Sequence, residues 1–394
     1  MNDHVVTKGY ELIFNRVGQG LFVEAVLSLS NGQSFNVVYD CGSTKKRHVS
    51  NAIDESVQRC SDPIDLLIIS HFDKDHINGV LELLMKRTVR RIMLPYMSKT
   101  MRIASAVIKQ NCYLTYEQER VIADPVFSLW QFSLAREVQP TIYFVREPGS
   151  DDFDTDSEGA AREYPEQVNI IDSGTDIFPN IVGNEKVASC IDFEIIPYND
   201  KNQLGEELFE FKSRISVYIA KLLNKAKSDD DRRAAFYLLK SDYSTTFGES
   251  AYRKNLISLF AYISPLCSKD EKAIGLEAQQ LGGTSKTEIT IETEQVGVLL
   301  TGDGYLNNPT RVQGLREGLG KKELNLAVLQ VSHHGAKSSW YRGLSSELNP
   351  SIAVFSSDPI KSYHHPHESV VKDFSNQVLL YSDTNRWGRV FLKV

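Results

Sequence analysis

The stretch "LLIISHFDKDHINGV", residues 66–80, decides how the rest of the chain is read. The run "IDLLIIS" (64–70) is short, β-branched and almost wholly apolar, as a central buried strand is, and "INGVLELLMKR" (77–87) has helical periodicity. On the loop between them His71, Asp73, Asp75 and His76 crowd into six positions. Aspartates after a strand can simply cap the next helix, but capping does not call for a histidine at both ends of the hexad.

The pattern repeats further along the chain: an apolar strand ends and polar residues follow. "VGVLLTG" (296–302) runs into Asp303, "LAVLQVS" (326–332) into His333 and His334, and "SIAVFSSD" (351–358) precedes a loop with His364, His365 and His367. Taken singly, Asp303 suits a turn, the His pair suits a surface, and "HHPH" suits a fortuitous turn. Strand ends along one sheet edge converge in space, however, and seven of the nine histidines lie in these clusters. Imidazole with carboxylate is a divalent-metal ligand set, and more than four ligands point to two ions and to metal-assisted hydrolysis.

The N-terminal segment reads as a β-meander: "YELIFNRV" (10–17), a Gly18-Gln19-Gly20 turn, "LFVEAVLSL" (21–29), an Asn31-Gly32 hairpin signal and "SFNVVYD" (34–40). Residues 148–175 are acidic and rich in Gly, Ser and Asp, which predicts an exposed loop. Residues 206–242 predict one or two charged amphipathic helices broken near "SDDD", and 248–275 a further helical stretch. Their aromatic face, around Phe209, Phe211, Tyr218 and Tyr237, suits core, lid or protein-partner surface. Strand character returns at "TEITIETEQVGVLL" (287–300), and "VLLYSDTNRWGRVFLKV" (378–394) predicts a closing hairpin. The chain is therefore divided into 1–130, a mainly helical insertion over 131–275, and 276–394.

With 394 residues and 41% hydrophobic content the chain is globular, and 44 basic against 51 acidic residues leave a net −7, so any nucleic-acid contact is local. No run approaches a membrane span, which predicts a cytoplasmic protein without membrane contact. Five cysteines, none in a C-x-x-C pair, are expected reduced and mostly buried.

These motifs resemble the metallo-β-lactamase fold family and, within it, the hydrolase domain of ComEC-type DNA-uptake proteins and its stand-alone relatives. The resemblance rests on "VGQGL" (17–21), "YDCG" (39–42), "SHFDKDH" (70–76), "TGD" (301–303), "HHGAKSS" (333–339) and "YHHPH" (363–367), and covers about 1–100 and 276–394. It implies an α/β (α+β) fold, a four-layer αβ/βα sandwich here carrying the largely helical insertion. It implies that Asp303 bridges two metals, that His71 and Asp73 hold one and Asp75 and His76 the other, and that His365 completes the late motif. His333 or His334 serves as ligand or proton donor, and Asp40 orients the loop as a hydrogen-bond acceptor. Leu21, Ala336 and His364 depart from the family pattern, and no histidine lies between 76 and 333. With Asp73 also in place of histidine, the harder ligand set favours Mn²⁺, or a weakly held second Zn²⁺, over two tight zinc ions.

The resemblance favours phosphodiester hydrolysis of a nucleic acid or nucleotide, with Lys337, Ser338 and Ser339 holding phosphate at a helix N-terminus. Ser338 equally suits a helix N-cap. Arg311, Arg316, Lys321, Lys322, Lys337, Arg342, Arg386 and Arg389 make the C-terminal segment basic-leaning. Two alternatives stand beside this reading: a hydrolase of cyclic nucleotides, lactones or thioesters, and a degenerate-site interaction protein that uses the inserted helices.

Overall fold

The computed structural model describes residues 8–96, 121–122, 124–133, 139–148, 168–182, 192–199, 217–218, 228–247, 258–267, 275–283, 285–358 and 364–394. Three antiparallel strands open the chain, β1 (Gly9–Phe14), β2 (Val23–Ser28) and β3 (Ser34–Tyr39). Helix α1 (Lys46–Arg59) leads to β4 (Leu66–Ile68), and α2 (Lys74–Ile77) and α3 (Val80–Lys86) lead to β5 (Arg91–Pro95). Helix α4 (Pro125–Ser133) precedes β6 (Thr141–Arg146) and β7 (Val168–Asp172). After α5 (Phe178–Val182) come β8 (Phe193–Asn199), α6 (Asp229–Phe247) and β9 (Leu259–Pro265). The hairpin β10 (Gly275–Gly282) and β11 (Ser285–Ile291) is followed by β12 (Gly297–Leu300), α7 (Pro309–Gly318) and β13 (Leu326–Gln330). Helix α8 (Leu344–Leu348), β14 (Ile352–Ser356), α9 (Glu368–Asp373), β15 (Val378–Ser382) and β16 (Arg386–Lys393) complete the order.

These strands form two mixed sheets. The 10-stranded sheet runs β11-β10-β16-β1-β2-β3-β4-β5-β6-β7, and the 6-stranded sheet runs β15-β14-β13-β12-β9-β8. Three cores show how they stack. Leu12, Leu27 and Leu66 of the larger sheet meet Ile195, Ala261 and Val328 of the smaller one in the core between them. On the outer face of the larger sheet, Leu67 and Ile92 pack with Ile53 of α1, Leu83 of α3 and Leu129 of α4. On the outer face of the smaller sheet, Leu299 and Leu329 pack with Val312 of α7, Leu344 of α8 and Val370 of α9. The layers are thus helix, sheet, sheet, helix. The unbroken apolar run of β4 follows from this, since Leu66 and Ile68 face the sheet partner while Leu67 faces the helices.

Several sequence expectations change. Strands β6, β7, β8 and β9 all fall in the stretch 131–275 read as mainly helical, and they belong to both sheets. Residues 259–265, within the expected helix 248–275, form a strand with every residue buried; "LFAYISP" is apolar on both faces because it lies inside the smaller sheet. Residues 168–172, expected in the acidic loop, pair with β6, whereas 149–167 lie outside the described residues. Helix α6 agrees with the helical reading of 229–242. Phe209 and Phe211 lie outside the described residues, Tyr218 packs on the outer core and Tyr237 is exposed. The closing pair β15 and β16 is not a hairpin: the strands enter different sheets. Among the described cysteines Cys41 is buried, Cys60 half-buried and Cys267 exposed. No described helix is long and apolar enough to cross a membrane.

Helix α3, which follows the His/Asp loop, is clasped to α1 by Glu82. Its carboxylate lies 2.7 Å from Lys46 Nζ and 2.8 Å from Lys86 Nζ, and accepts from Ser50 Oγ at 2.7 Å. Burial alone raises the Glu82 carboxyl, but these three donors outweigh it and hold it at about 2 against an ordinary 4.5. A depressed carboxylate stabilises the fold above its unfolded pKa and loses that contribution as pH falls through the folded value. Glu82→Gln is therefore expected to cost about 1 kcal/mol at neutral pH and to flatten the acid limb of urea-unfolding stability between 4.5 and 2. An acid limb identical to that of the wild type would remove the clasp from this account.

Candidate metal centre

Each His/Asp cluster sits where a strand leaves its sheet. The loop after β4 carries His71 to His76, the turn after β12 carries Asp303, and the turn after β13 carries His333 and His334. Since β4 and β12 belong to different sheets, the centre lies at the rim where the two halves of the sandwich meet.

Asp303, 3% exposed, is the common neighbour. Its Oδ1 lies 3.2 Å from His76 Nε2 and 3.5 Å from His334 Nε2, and its Oδ2 lies 3.5 Å from His333 Nε2 and 3.8 Å from His71 Nε2. Asp73 Oδ2 is 3.3 Å from His71 Nε2, and Asp75 Oδ2 is 3.4 Å from His334 Nε2. The ligand atoms of His71, His76 and Asp303 lie within 4.8 Å of one another, as do those of Asp75, His76 and His334. The Nε2 atoms of His71, His76 and His334 are buried and make no hydrogen bond. Leaving such atoms unsatisfied costs roughly 1–3 kcal/mol each, and a cation among them removes that cost, so the donors present fit a divalent metal.

The opposite ring nitrogens are fixed from behind. Asp40 Oδ1 accepts from Ser70 N at 2.7 Å, and Oδ2 accepts from Ser70 Oγ at 2.6 Å and from His76 Nδ1 at 2.7 Å. With its hydroxyl hydrogen directed to Asp40, Ser70 Oγ receives His71 Nδ1 at 2.8 Å. His334 Nδ1 donates to the Ser356 carbonyl at 2.5 Å, and His333 Nδ1 lies 2.9 Å from Ser339 Oγ. Bonds of this kind set the tautomer and aim of a metal-binding imidazole.

The backbone is shaped to the same end. Asp40, His333 and His334 have φ of 56°, 48° and 56°, a left-handed conformation that costs non-glycine residues about 1–2 kcal/mol each. At Gly42 the backbone of the His/Asp loop passes so close that a Cβ would lie 2.4 Å from Asp75 C and His76 N. Gln330 fixes the Asp303 turn, its Oε1 accepting from Thr301 N and Gly302 N at 2.8 Å each.

Charge coupling follows from this packing. Burial raises the Asp303 carboxyl, but His333, His76 and His334 outweigh it and hold it well below the ordinary range. Asp75 is lowered likewise, burial being overcome by His334 and His76. Burial lowers His76 and His334, yet Asp303, joined by Asp40 for the first and Asp75 for the second, raises both. His365, pressed down by burial and then by the charges of His334 and His333, falls to about 4.

The structure thus brings His71, Asp73, Asp75, His76, Asp303, His333 and His334 together with Asp40 behind them. His365 stands at the edge, half-buried, its ring centroid 6.0 Å from that of His333. His367 caps α9, accepting from Ser369 N, while His364 is exposed. The helix N-terminus expected at residues 337–339 is not formed. Lys337–Ser339 is a three-residue 3₁₀ turn without a side-chain cap, and the next helix begins at Leu344 behind Gly343. Lys337 and Ser338 are exposed, but Ser339 is buried against His333. The basic-leaning set is mostly engaged: Arg316 with Glu347, Lys321 with Glu194, Arg386 with Asp383, Arg389 with Glu11, and buried Arg311 over the Tyr305 ring.

Sequence reasoning passed over Ser70, Gln330 and Ser356. A glutamine inside the apolar "LAVLQVS" was a readable signal, and Ser70 stood beside His71. Ser356 receives His334 through its main-chain carbonyl, which leaves no trace in residue type.

No family model matches the chain. Two partial similarities to characterised proteins stand out. One is to Recombination protein 2 of Haemophilus influenzae, 37% identical over 84 residues, or 21% of this chain and 10% of that protein. The other is to ComE operon protein 3 of Bacillus subtilis, 26% identical over 106 residues, or 27% of this chain and 13% of that protein. The aligned segments are thus about a tenth of the length of these relatives.

Asp40→Ala leaves the Ser70 amide, the Ser70 hydroxyl and His76 Nδ1 without their shared buried acceptor. It is expected to destabilise the fold by about 3–5 kcal/mol, measured by chemical denaturation with metal chelated. A loss under 1 kcal/mol would show that Asp40 does not organise the loop.

Proposed function

We propose that this chain is a metal-dependent hydrolase of the metallo-β-lactamase type acting on phosphodiesters, with a nucleic acid or nucleotide as substrate. The observation that carries the reading is the convergence of four imidazoles on the buried Asp303 carboxylate, with Asp73 and Asp75 beside them. His71, Asp73, Asp75, His76, Asp303 and the His333-His334 turn would hold two divalent ions, Zn²⁺ or Mn²⁺. Ions held there supply Lewis acidity, lowering the pKa of water and neutralising charge on a phosphoryl oxygen.

The chain's own residues supply the rest. Asp40 and Ser70 orient the loop histidines, and exposed Lys337 and Ser338 offer a cation and a donor beside His333. Exposed Lys45 and Arg47 start α1 next to Thr44, whose amide bonds the Gln19 carbonyl, so positive charge also flanks the Val17–Leu21 turn. The partial similarity to a protein named for recombination supports nucleic acid as substrate. A small phosphodiester is the second reading. It is favoured by the net −7 and by the engagement of Arg311, Arg316, Lys321, Arg386 and Arg389 within the fold.

The test is cleavage of bis-p-nitrophenyl phosphate and of labelled single- and double-stranded DNA with Mn²⁺ or Zn²⁺. Asp303→Asn is expected to reduce metal-dependent cleavage by about 10³-fold or more. DNA binding that weakens steeply with salt distinguishes nucleic acid from a small ester. Stoichiometric metal with no cleavage of any phosphodiester would sink this reading, and failure on lactones and thioesters as well would turn it toward the interaction-protein alternative.

A further inference from the structure

We infer that Lys45 and Arg47 at the start of α1, and Lys337 in the turn after the histidine pair, are two basic arms that hold the phosphates of a nucleic-acid strand on either side of the candidate centre. This inference rests on the proposed phosphodiester hydrolysis and chooses a polymer over a small ester as its substrate.

Most of the described basic side chains are engaged within the fold. Lys46 and Lys86 meet Glu82, Arg16 meets Glu55, and Arg59 and Arg87 meet Glu24. Among the described residues, the side chains of Lys45, Arg47, Lys74, Lys337 and Arg342 make no ion pair, hydrogen bond or ring contact. Lys322 and Lys393 are likewise unengaged, but they stand at the other end of the strands. Lys322 precedes β13, whose far end carries the histidines, and Lys393 pairs with Gly9 at the start of β1, whose far end leads into the Val17–Leu21 turn.

Both arms are tied to the centre through the backbone. Cys41 N donates to the His76 carbonyl at 2.9 Å, Ser43 N to Asn78 Oδ1 at 3.0 Å, and Asn78 Nδ2 to the Ser43 carbonyl at 2.6 Å. The segment that leads into Lys45 is thus fastened to the His71–His76 loop, and half-buried Lys74 lies within that loop between Asp73 and Asp75. On the other side, Ala336 N donates to the His333 carbonyl at 2.9 Å and Leu306 N to the Ser339 carbonyl at 3.0 Å. These bonds seat the Lys337 turn beside the histidines and against the segment that follows Asp303. One arm belongs to the half of the larger sheet and the other to the half of the smaller sheet, and Asp303 lies where the halves meet.

Folding gives no reason for this placement. Positive charge in the first turn of a helix opposes its dipole, and α1 has neither an acidic residue in that turn nor a side-chain cap. The next carboxylates along α1, Asp54 and Glu55, are taken by Lys86 and Arg16. Lys45 and Arg47 also repel each other, and a polyanion relieves both penalties. A small ester brings one phosphate for the centre and none for the arms, whereas a polynucleotide carries one at every step.

The test is binding of a fluorescein-labelled single-stranded DNA to the full chain, followed by anisotropy over a series of salt concentrations with metal chelated, so that the readout does not depend on cleavage. Lys45→Ala/Arg47→Ala is expected to weaken binding by about 10-fold or more at low salt and to flatten the slope of log K against log salt by about 1.4, and adding Lys337→Ala to flatten it by about 0.7 more. Lys322→Ala/Lys393→Ala removes the same charge away from the arms and is expected to change neither. Equal weakening in the two pairs would reduce the effect to net charge and overturn the inference, as would tighter binding to phosphatidylserine vesicles than to DNA. Metal-dependent cleavage of bis-p-nitrophenyl phosphate by a wild type that does not bind DNA would also overturn it, while leaving the phosphodiesterase reading in place. Salt-dependent DNA binding through Lys45, Arg47 and Lys337 with no cleavage of any phosphodiester would instead keep the arms and sink the hydrolase.

Discussion

A carboxylate buried between two sheets has to be met by positive charge, and the arrangement around Asp303 answers that requirement. Four imidazoles surround it, and their own carboxylates, buried Asp40 and Asp73 and half-buried Asp75, stand around them in turn. Asp303, joined by Asp40 for His76 and by Asp75 for His334, raises the pKa of both groups against the effect of burial. A cation held there would compete with protons for the same nitrogens. The Gly42 approach, the Gln330 brace and the Asp40–Ser70 network all maintain this one concentration of charge.

The sequence made the chemistry legible because ligand types are rare, and they stood at the ends of strands whose apolar runs were unmistakable. The same logic explains what was hidden. The stretch 248–275 read as helix because its apolar residues have no strict alternation, yet a strand covered on both faces has no reason to alternate, and β9 is such a strand. The closing hairpin was misread because the spacing between β15 and β16 suits a tight turn, while sheet membership is decided by distant partners such as β1 and β14. Ser339 looked like a substrate residue because serine next to lysine suits phosphate; only its burial against His333 assigns it to the protein interior.

Backbone strain gathers at the candidate centre. Among the described residues, three of the five non-glycine positions with positive φ are Asp40, His333 and His334, all at the candidate centre. A fold selected for stability alone has little use for left-handed histidines, and surrounding contacts hold them: the His333 amide donates to the Gly302 carbonyl, and the Ser332 hydroxyl to the Gly304 carbonyl. The turn that bears Asp303 and the turn that bears the histidines thus grip each other through one main-chain bond and the side chain of Ser332.

Strand β16 lies between β1 and β10, with Gly9 opposite Lys393 and Phe14 opposite Gly388. A strand from the far end of the sequence thus occupies an interior position in the larger sheet. During synthesis the opening meander precedes this partner, and the edge of β1 that β16 covers stays open until residues 386–393 follow. Loop closure over such a separation is slow, and an exposed edge during that interval invites pairing with another chain. Biogenesis of this fold therefore favours slow dilution or chaperone cover over rapid concentrated refolding.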